Sequence, residues 1–292
     1  MSEPTRSPEL RGAERPLVGL ETSVLAQGLP EPRNREAADR MGEAVRAAGA
    51  LPAWTWVDDG EVRVGATGDE LDRLCAEAAA KVARRDLPMA VAGRGLGATT
   101  VSATLWIAAH AGIEVAATGG IGGVHHGGGD VSADLAELAR SPVTLVCAGP
   151  KSITDPAATL ERLEELGVGV VGYGTDRLPF FLAREAPIEL EHRADSPREA
   201  AEIARARRDL GLGAALLVCV PIPELYALDP DEIADAVAGC EERAAREAVN
   251  GKDLTPYLLR CLAQETDGRS LEANLALLEE NARVAGAIAA AL

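Results

Sequence analysis

The sequence predicts an α/β fold, layered α/β/α around a mainly parallel sheet. Short, continuous apolar runs alternate with longer stretches of helical periodicity. The runs do not alternate apolar with polar residues, which is the pattern of strands covered on both faces. In chain order the strand-like runs cover 17–20, 89–92, 114–117, 143–148, 167–172 and 214–220. Helical periodicity covers 35–48, 69–84, 98–109, 132–140, 157–166, 197–210, 230–246 and 271–292. Residues 51–57 and 61–64 flank Asp58-Asp59-Gly60, the signature of a hairpin.

A chain of 292 residues can bury one large core, and no internal repeat or long linker divides it. Residues 1–15 are polar and contain proline, so they are expected to form a loose arm. Residues 16–292 then form one domain. The arm also lacks the apolar run of a secretory signal. No run of 18 apolar residues is present to cross a membrane. A formal net charge of -17 argues against nucleic acid as a partner, because an acidic surface repels phosphate backbones. The five cysteines, Cys75, Cys147, Cys219, Cys240 and Cys261, are odd in number and widely spaced. They are expected to be buried free thiols of a cytoplasmic protein, not a disulfide frame or a metal site.

The chain contains only three lysines, Lys81, Lys151 and Lys252, against 26 arginines. Lysine survives such a bias where arginine cannot replace it, since an amine can lose its proton and attack a carbonyl. Chance survival is the competing account of any one of them. Lys151 follows VTLVCAG, where an apolar strand gives way to a loop. Ligands gather at the carboxyl ends of parallel strands, and desolvation there can keep an amine neutral. Glu21 has the same placement after PLVGL, as a candidate acid or base, or else a solvated charge.

Other polar or glycine-rich segments follow strand-like runs at 93–100, 118–134 and 150–152, and all are expected to converge with 21–23. The run from Thr118 to Asp130 is the densest glycine cluster, able to bring backbone N–H groups close to an anion. It is neither a Walker loop nor a dinucleotide fingerprint. Asp130 reads as a cap of the following helix or, with Asp134, as a carboxylate for Mg or Mn. His125 and His126 lack zinc spacing but can meet a ligand. His110 reads as a packed or surface histidine.

Together these segments resemble the pseudouridine-5'-phosphate glycosidase family, which includes the indigoidine-cluster A-type proteins. The matches are Glu21 with QGLPEPRN after it, AKVARRDLP around Lys81, GATTV ending at Val101, ATGGIGGVH ending at His125, and DVSADL from Asp130. They continue through VCAGPKSI around Lys151, PIPE ending at Glu224, NGKDLTPYLL around Lys252 and SLEANLAL around Asn274. The order is kept from about residue 16 to the last helix.

The resemblance implies a role for each match. Lys151 would be the nucleophile that forms an imine with C1' of ring-opened ribose 5-phosphate, and Glu21 the proton donor. Lys81, Val101, Thr118, Ser132, Ala133 and Asp134 would contact or line the substrate, with His125 and Asn274 near the base. Asp130 would hold Mn or another divalent cation, largely through water. The assembly would be a homotrimer. Three departures stand out: Glu21-Thr22-Ser23 for the usual Glu-Ser-Thr, Gln27-Gly28-Leu29-Pro30 for His-Gly-Met-Pro, and Val220-Pro221-Ile222-Pro223 for Asn-Pro-Ile-Pro. The loop from His125 to Asp130 is also shorter. The expected activity is therefore reversible joining of ribose 5-phosphate to uracil, or to another carbon nucleophile as in a C-ribosyl synthase. A non-catalytic sugar-phosphate-binding protein is the remaining reading.

Overall fold

A computed structural model describes residues 4–127 and 129–292, without the Lys252 side chain. Gly128 of the glycine cluster, residues 1–3 of the arm and the Lys252 side chain lie outside it.

In chain order the main elements begin with β1 (Thr5–Arg6), β2 (Leu17–Leu20), α1 (Arg33–Ala47), β3 (Leu51–Asp58), β4 (Glu61–Val64), α2 (Gly68–Ala76) and β5 (Ala80–Val82). There follow α3 (Leu87–Gly93), β6 (Gly97–Thr99), α4 (Val101–His110), β7 (Val115–Ala117), α5 (Ala133–Leu138), β8 (Thr144–Cys147), α6 (Pro156–Glu165) and β9 (Gly169–Tyr173). The rest is β10 (Arg193–Ala194), α7 (Pro197–Asp209), β11 (Leu216–Cys219), α8 (Pro230–Arg246), α9 (Leu254–Glu265) and α10 (Arg269–Ala291).

The strands form one sheet in the order β1-β4-β3-β2-β7-β8-β11-β9-β10, with β6 pairing β3 and β5. The pairs β3–β4 and β3–β6 are antiparallel and the others parallel. Side chains alternate between two cores, because successive residues of a strand face opposite ways. Val115 and Ala117, Val146, Leu216 and Val218 pack with α1, α7 and α10. Ala116, Leu145 and Cys147, Leu217 and Cys219 pack with α4 and α5 on the other face. The expected α/β/α layering is the observed one.

Five expectations need correction. Residues 89–92 are helical, within α3. Pro88 in the first turn is a helix-start signal, and a four-residue apolar run does not by itself separate strand from helix. The helix expected over 69–84 ends at Ala76, and Lys81 lies on β5, which pairs with β6. Pairing overrides the helix propensity of Ala78-Ala79-Ala80. For the same reason Ala98 and Thr99 are strand, not helix. The N-terminal arm is not loose from residue 5 onward. Thr5–Arg6 extend the sheet beside β4, Arg6 donates to Ala111 O at 2.6 Å, and Leu10 is fully buried. Cys240 and Cys261 are disulfide-bonded, with Cα atoms 5.8 Å apart, while Cys75, Cys147 and Cys219 are free. Spacing could not announce that pair, because α9 was not foreseen and only its packing on α8 brings the two together.

Candidate active site

β2 ends at Leu20 and the chain delivers Glu21 into a cavity, 6% exposed. Two hydroxyls grip its carboxylate. Thr118, directly after β7, donates to Oε1, and Ser23 donates to Oε2 at 2.6 Å. Thr22 faces away into a buried hydroxyl cluster with Thr55 and Thr99. The swapped order of Thr22 and Ser23 thus leaves one hydroxyl on the carboxylate and one in the core.

Lys151 follows β8 through Gly149, whose φ is +77°. A Cβ at Gly149 would collide with the Pro179 carbonyl oxygen, so only glycine permits this turn. The backbone N–H of Lys151 donates to Ile121 O at 3.0 Å, and its Nζ donates to Gly120 O at 2.6 Å. The nucleophile candidate is therefore aimed back at the glycine loop. Lys81 comes in from β5. Burial pushes its pKa below the usual lysine value, and the Lys151 charge adds to that, while Asp134, Glu21 and Asp253 oppose it.

The cavity measures about 220 Å³. Its lining contains each residue to which the family resemblance gives a role, Glu21, Lys81, Val101, Thr118, His125, Asp130, Ser132, Ala133, Asp134, Lys151 and Asn274, but not His126. Of the segments expected to converge, 93–100 contributes only Thr100, at the start of α4. Burial also lowers the pKa of His125, partly opposed by Asp130.

Two carboxylates behave differently from expectation. Asp130 does not cap α5. Ser132 does, accepting from Asp134 N at 3.2 Å. Asp134 is buried, and its oxygens accept from the backbone N–H of Ser102 at 3.1 Å and Gly122 at 3.0 Å. It pins the start of α4 to the glycine loop. Asp130 stays exposed at the cavity. No group of three His, Cys, Asp or Glu among the described residues is arranged to hold a metal. This set fits only a hard, hydrated cation bound through one carboxylate, with water or substrate oxygens completing it.

The sequence reading assigned no individual role to the lining residues Arg85, Thr154, Phe181, Gly251, Thr255 and Leu259, although Arg85 lies in AKVARRDLP and the last three in NGKDLTPYLL; Ser23 belongs to the 21–23 segment expected to converge. Gly251, Thr255 and Leu259 come from α9 and the turn before it, for which no periodic signal had been recognised. Gln27, one of the departures, also lines the cavity and donates to Ala79 O at 2.8 Å. Val220 does not. It is buried in the core between the sheet and α10. His110 stacks on Trp106, with ring centroids 4.0 Å apart, well away from the cavity.

Comparison with known proteins agrees with this geometry. The model of the family described as indigoidine synthase A like protein matches residues 9–291. A pseudouridine-5'-phosphate glycosidase of Symbiobacterium thermophilum is 47% identical, over 98% of this chain and 96% of its own. The enzyme of that name from Gemmatimonas aurantiaca is 51% identical over 97% and 92%. Among solved structures, an indigoidine synthase A-like protein of Thermotoga maritima superposes with a TM-score of 0.92 at 39% identity, covering 98% of this chain and 96% of that one. The prealnumycin C-glycosynthase AlnA, solved in complex with ribulose 5-phosphate, gives 0.91 at 37% identity, covering 100% and 97%. The chain belongs to the indigoidine synthase A-like family.

Proposed function

We propose that this chain makes and breaks the C–C bond between C1' of ribose 5-phosphate and a ring carbon of uracil, as a pseudouridine-5'-phosphate glycosidase. The observation that carries the proposal is the convergence of an amine, Lys151, and a doubly gripped carboxylate, Glu21, on one cavity at the strand ends. The names and near-complete coverage of the curated relatives support it. The departure at Val220 does not bear on the choice of base, since Val220 lies outside the cavity lining.

A C-glycoside has no heteroatom leaving group at C1', so acid-assisted expulsion alone does not serve. In the cleavage direction Lys151 Nζ adds at C1' while O4' departs and takes a proton from Glu21, which opens the ribose ring. C1' then carries the lysine nitrogen and the base. The ring carbon of the base takes a proton, the C–C bond breaks, and its electrons remain with the base as C1' becomes the lysine imine. Water adds to the imine and frees Lys151 and ribose 5-phosphate. Synthesis runs the same steps backward. Lys81, with Val101, Ser132 and Ala133, is assigned to the sugar phosphate, and Asp134 to holding the loop around it. His125 and Asn274 are assigned to the base side, while the Thr118 hydroxyl holds Glu21.

Asp130 is the protein carboxylate for Mn or a similar cation, which when bound supplies positive charge beside the phosphorylated sugar. We assign a homotrimer to the assembly, as the family resemblance implies. Cytoplasmic residence follows from a phosphorylated substrate that does not cross membranes unaided. Among the described residues no helix is long and apolar enough to cross one.

A second reading has its own support in the likeness to AlnA: a C-glycosynthase that joins ribose 5-phosphate to a different carbon nucleophile. One experiment separates the two. The protein is incubated with Mn, ribose 5-phosphate and uracil, and pseudouridine 5'-phosphate is sought by mass-resolved chromatography. Product that disappears in Lys151→Ala supports the first reading. A borohydride-trapped ribose 5-phosphate adduct without product supports the second. Neither adduct nor product from folded protein leaves only sugar-phosphate binding.

A further inference from the structure

The short segment Thr118–Gly120 touches both reacting side chains. Thr118 Oγ1 donates to Glu21, and Gly120 O accepts from Lys151 Nζ. One side of the segment continues the ladder with β8, through Thr118 N to Val146 O at 3.0 Å and Ala148 N to Gly119 O at 2.8 Å. On the other side stands Asn281 of α10. Its Nδ2 donates to Thr118 O at 2.8 Å and to Gly119 O at 3.0 Å.

Asn281 is 1% exposed and is not part of the cavity lining, so substrate does not reach it. Its Oδ1 is buried with no hydrogen-bond partner in the described structure. An amide with an orphaned oxygen is a costly way to fill a helix–sheet core. Leucine would fill nearly the same volume, as Leu277 and Leu278 do on the neighbouring turn, but it would take the amide donor away from Thr118 O. Volume alone therefore does not account for this side chain. Its two donated bonds do, because they fix the height of the segment above α10. The segment cannot settle elsewhere cheaply. A Cβ at Gly119 would press on Leu277 and Leu278 at 3.2 Å, and one at Gly120 on Phe181 at 2.7 Å.

We propose that Asn281 is a positioning residue for the reaction. It holds the Thr118–Gly120 backbone so that Glu21 and Lys151 converge on the two ends of the C1'–O4' bond. The inference rests on the function proposed above and deepens it. Misplacing a reacting group by about 1 Å costs on the order of 100-fold in rate. Loss of the amide should thus fall on kcat more than on KM.

The test compares wild type, Asn281→Leu, Asn281→Ser, Thr118→Val and the double variant Asn281→Leu/Thr118→Val. Each is assayed with ribose 5-phosphate, uracil and Mn, trapped with borohydride for intact mass, and checked by thermal unfolding. Asn281→Leu should lose about 10- to 100-fold in kcat with a much smaller change in KM. Asn281→Ser, where water can replace one donated bond, should fall between it and wild type, and it decides the matter if the leucine variant does not fold. If Asn281 acts through Thr118, the double variant should be no slower than the slower single. Wild-type kcat in a folded Asn281 variant, or losses that multiply fully in the double, would overturn the proposal. A wild-type protein that gives neither adduct nor product would instead overturn the underlying function.

Discussion

At the floor of the cavity, Glu21, Thr118 and Lys151 follow β2, β7 and β8, strands that are hydrogen-bonded on both edges. At its roof, Gly251, Thr255, Pro256 and Leu259 come from α9 and the turn before it, and α9 is joined to α8 by Cys240–Cys261. An ion pair between Arg243 and Glu265 ties α8 to α9 again, and one between Arg269 and Glu232 ties α8 to α10. The floor is rigid because its backbone bonds are shared across the sheet. The roof is held by side chains, a cross-link and the burial of Leu258 and Leu262. Chemistry that must aim two groups at one bond sits on the first kind of support. Residues that only cover the substrate can sit on the second.

The difference can be broken from the floor first. Lys151→Ala should abolish the borohydride-trapped adduct and lower kcat by at least about 10³-fold. Its unfolding temperature should stay near wild type, because the side chain is only half-buried. Glu21→Gln keeps the shape but removes the proton, and should cost about 10²- to 10⁴-fold in kcat. An adduct that still forms slowly in Glu21→Gln would confirm that the carboxylate moves protons and is not the nucleophile.

The roof should respond in the opposite sense. The Cys240–Cys261 link spans a sequence separation of 21, and removing it by Cys240→Ser should cost about 3 kcal/mol of stability by loss of loop closure. KM should rise more than kcat falls. Urea unfolding and steady-state kinetics, each with and without reductant, measure both. Identical curves in the two conditions would mean that the staple adds nothing to the roof.

The smallest effect concerns Lys81. Its folded pKa lies below 10.5 because burial and Lys151 disfavour the charged form. Between that lowered value and 10.5 the unfolded chain binds the additional proton, so stability rises with pH across this window. Below the window the penalty is fully present. Lys81→Met should therefore be more stable than wild type at neutral pH, with the gap closing as pH climbs through the window. A gap independent of pH would place the lysine's contribution in packing rather than charge.

Much of the fold was legible along the chain. The longer runs at 143–148 and 214–220 contain β8 and β11, and 230–246 is helix with the same ends. Their length and pattern exceed any local ambiguity. Shorter pieces were not legible. Residues 89–92 and 98–99 carry apolar or helix-favouring residues whose state depends on what they pair with. The candidate residues were found because lysine is scarce, because carboxylates and glycines follow strands, and because their ordered motifs resemble a family. Asn281 carried no such mark.

By itself, then, the sequence determined the layered class, the strand ends that offer Glu21 and Lys151, and the family. Those follow from local periodicity and from residue types that have few substitutes. Only the tertiary structure decided that Val220 turns into the core, that Asp134 is spent on backbone N–H groups, and that Cys240 meets Cys261. It alone also set Asn281 against the segment between acid and nucleophile. Each of these depends on a contact between distant parts of the chain, where side-chain direction and packing, not local pattern, choose the partner.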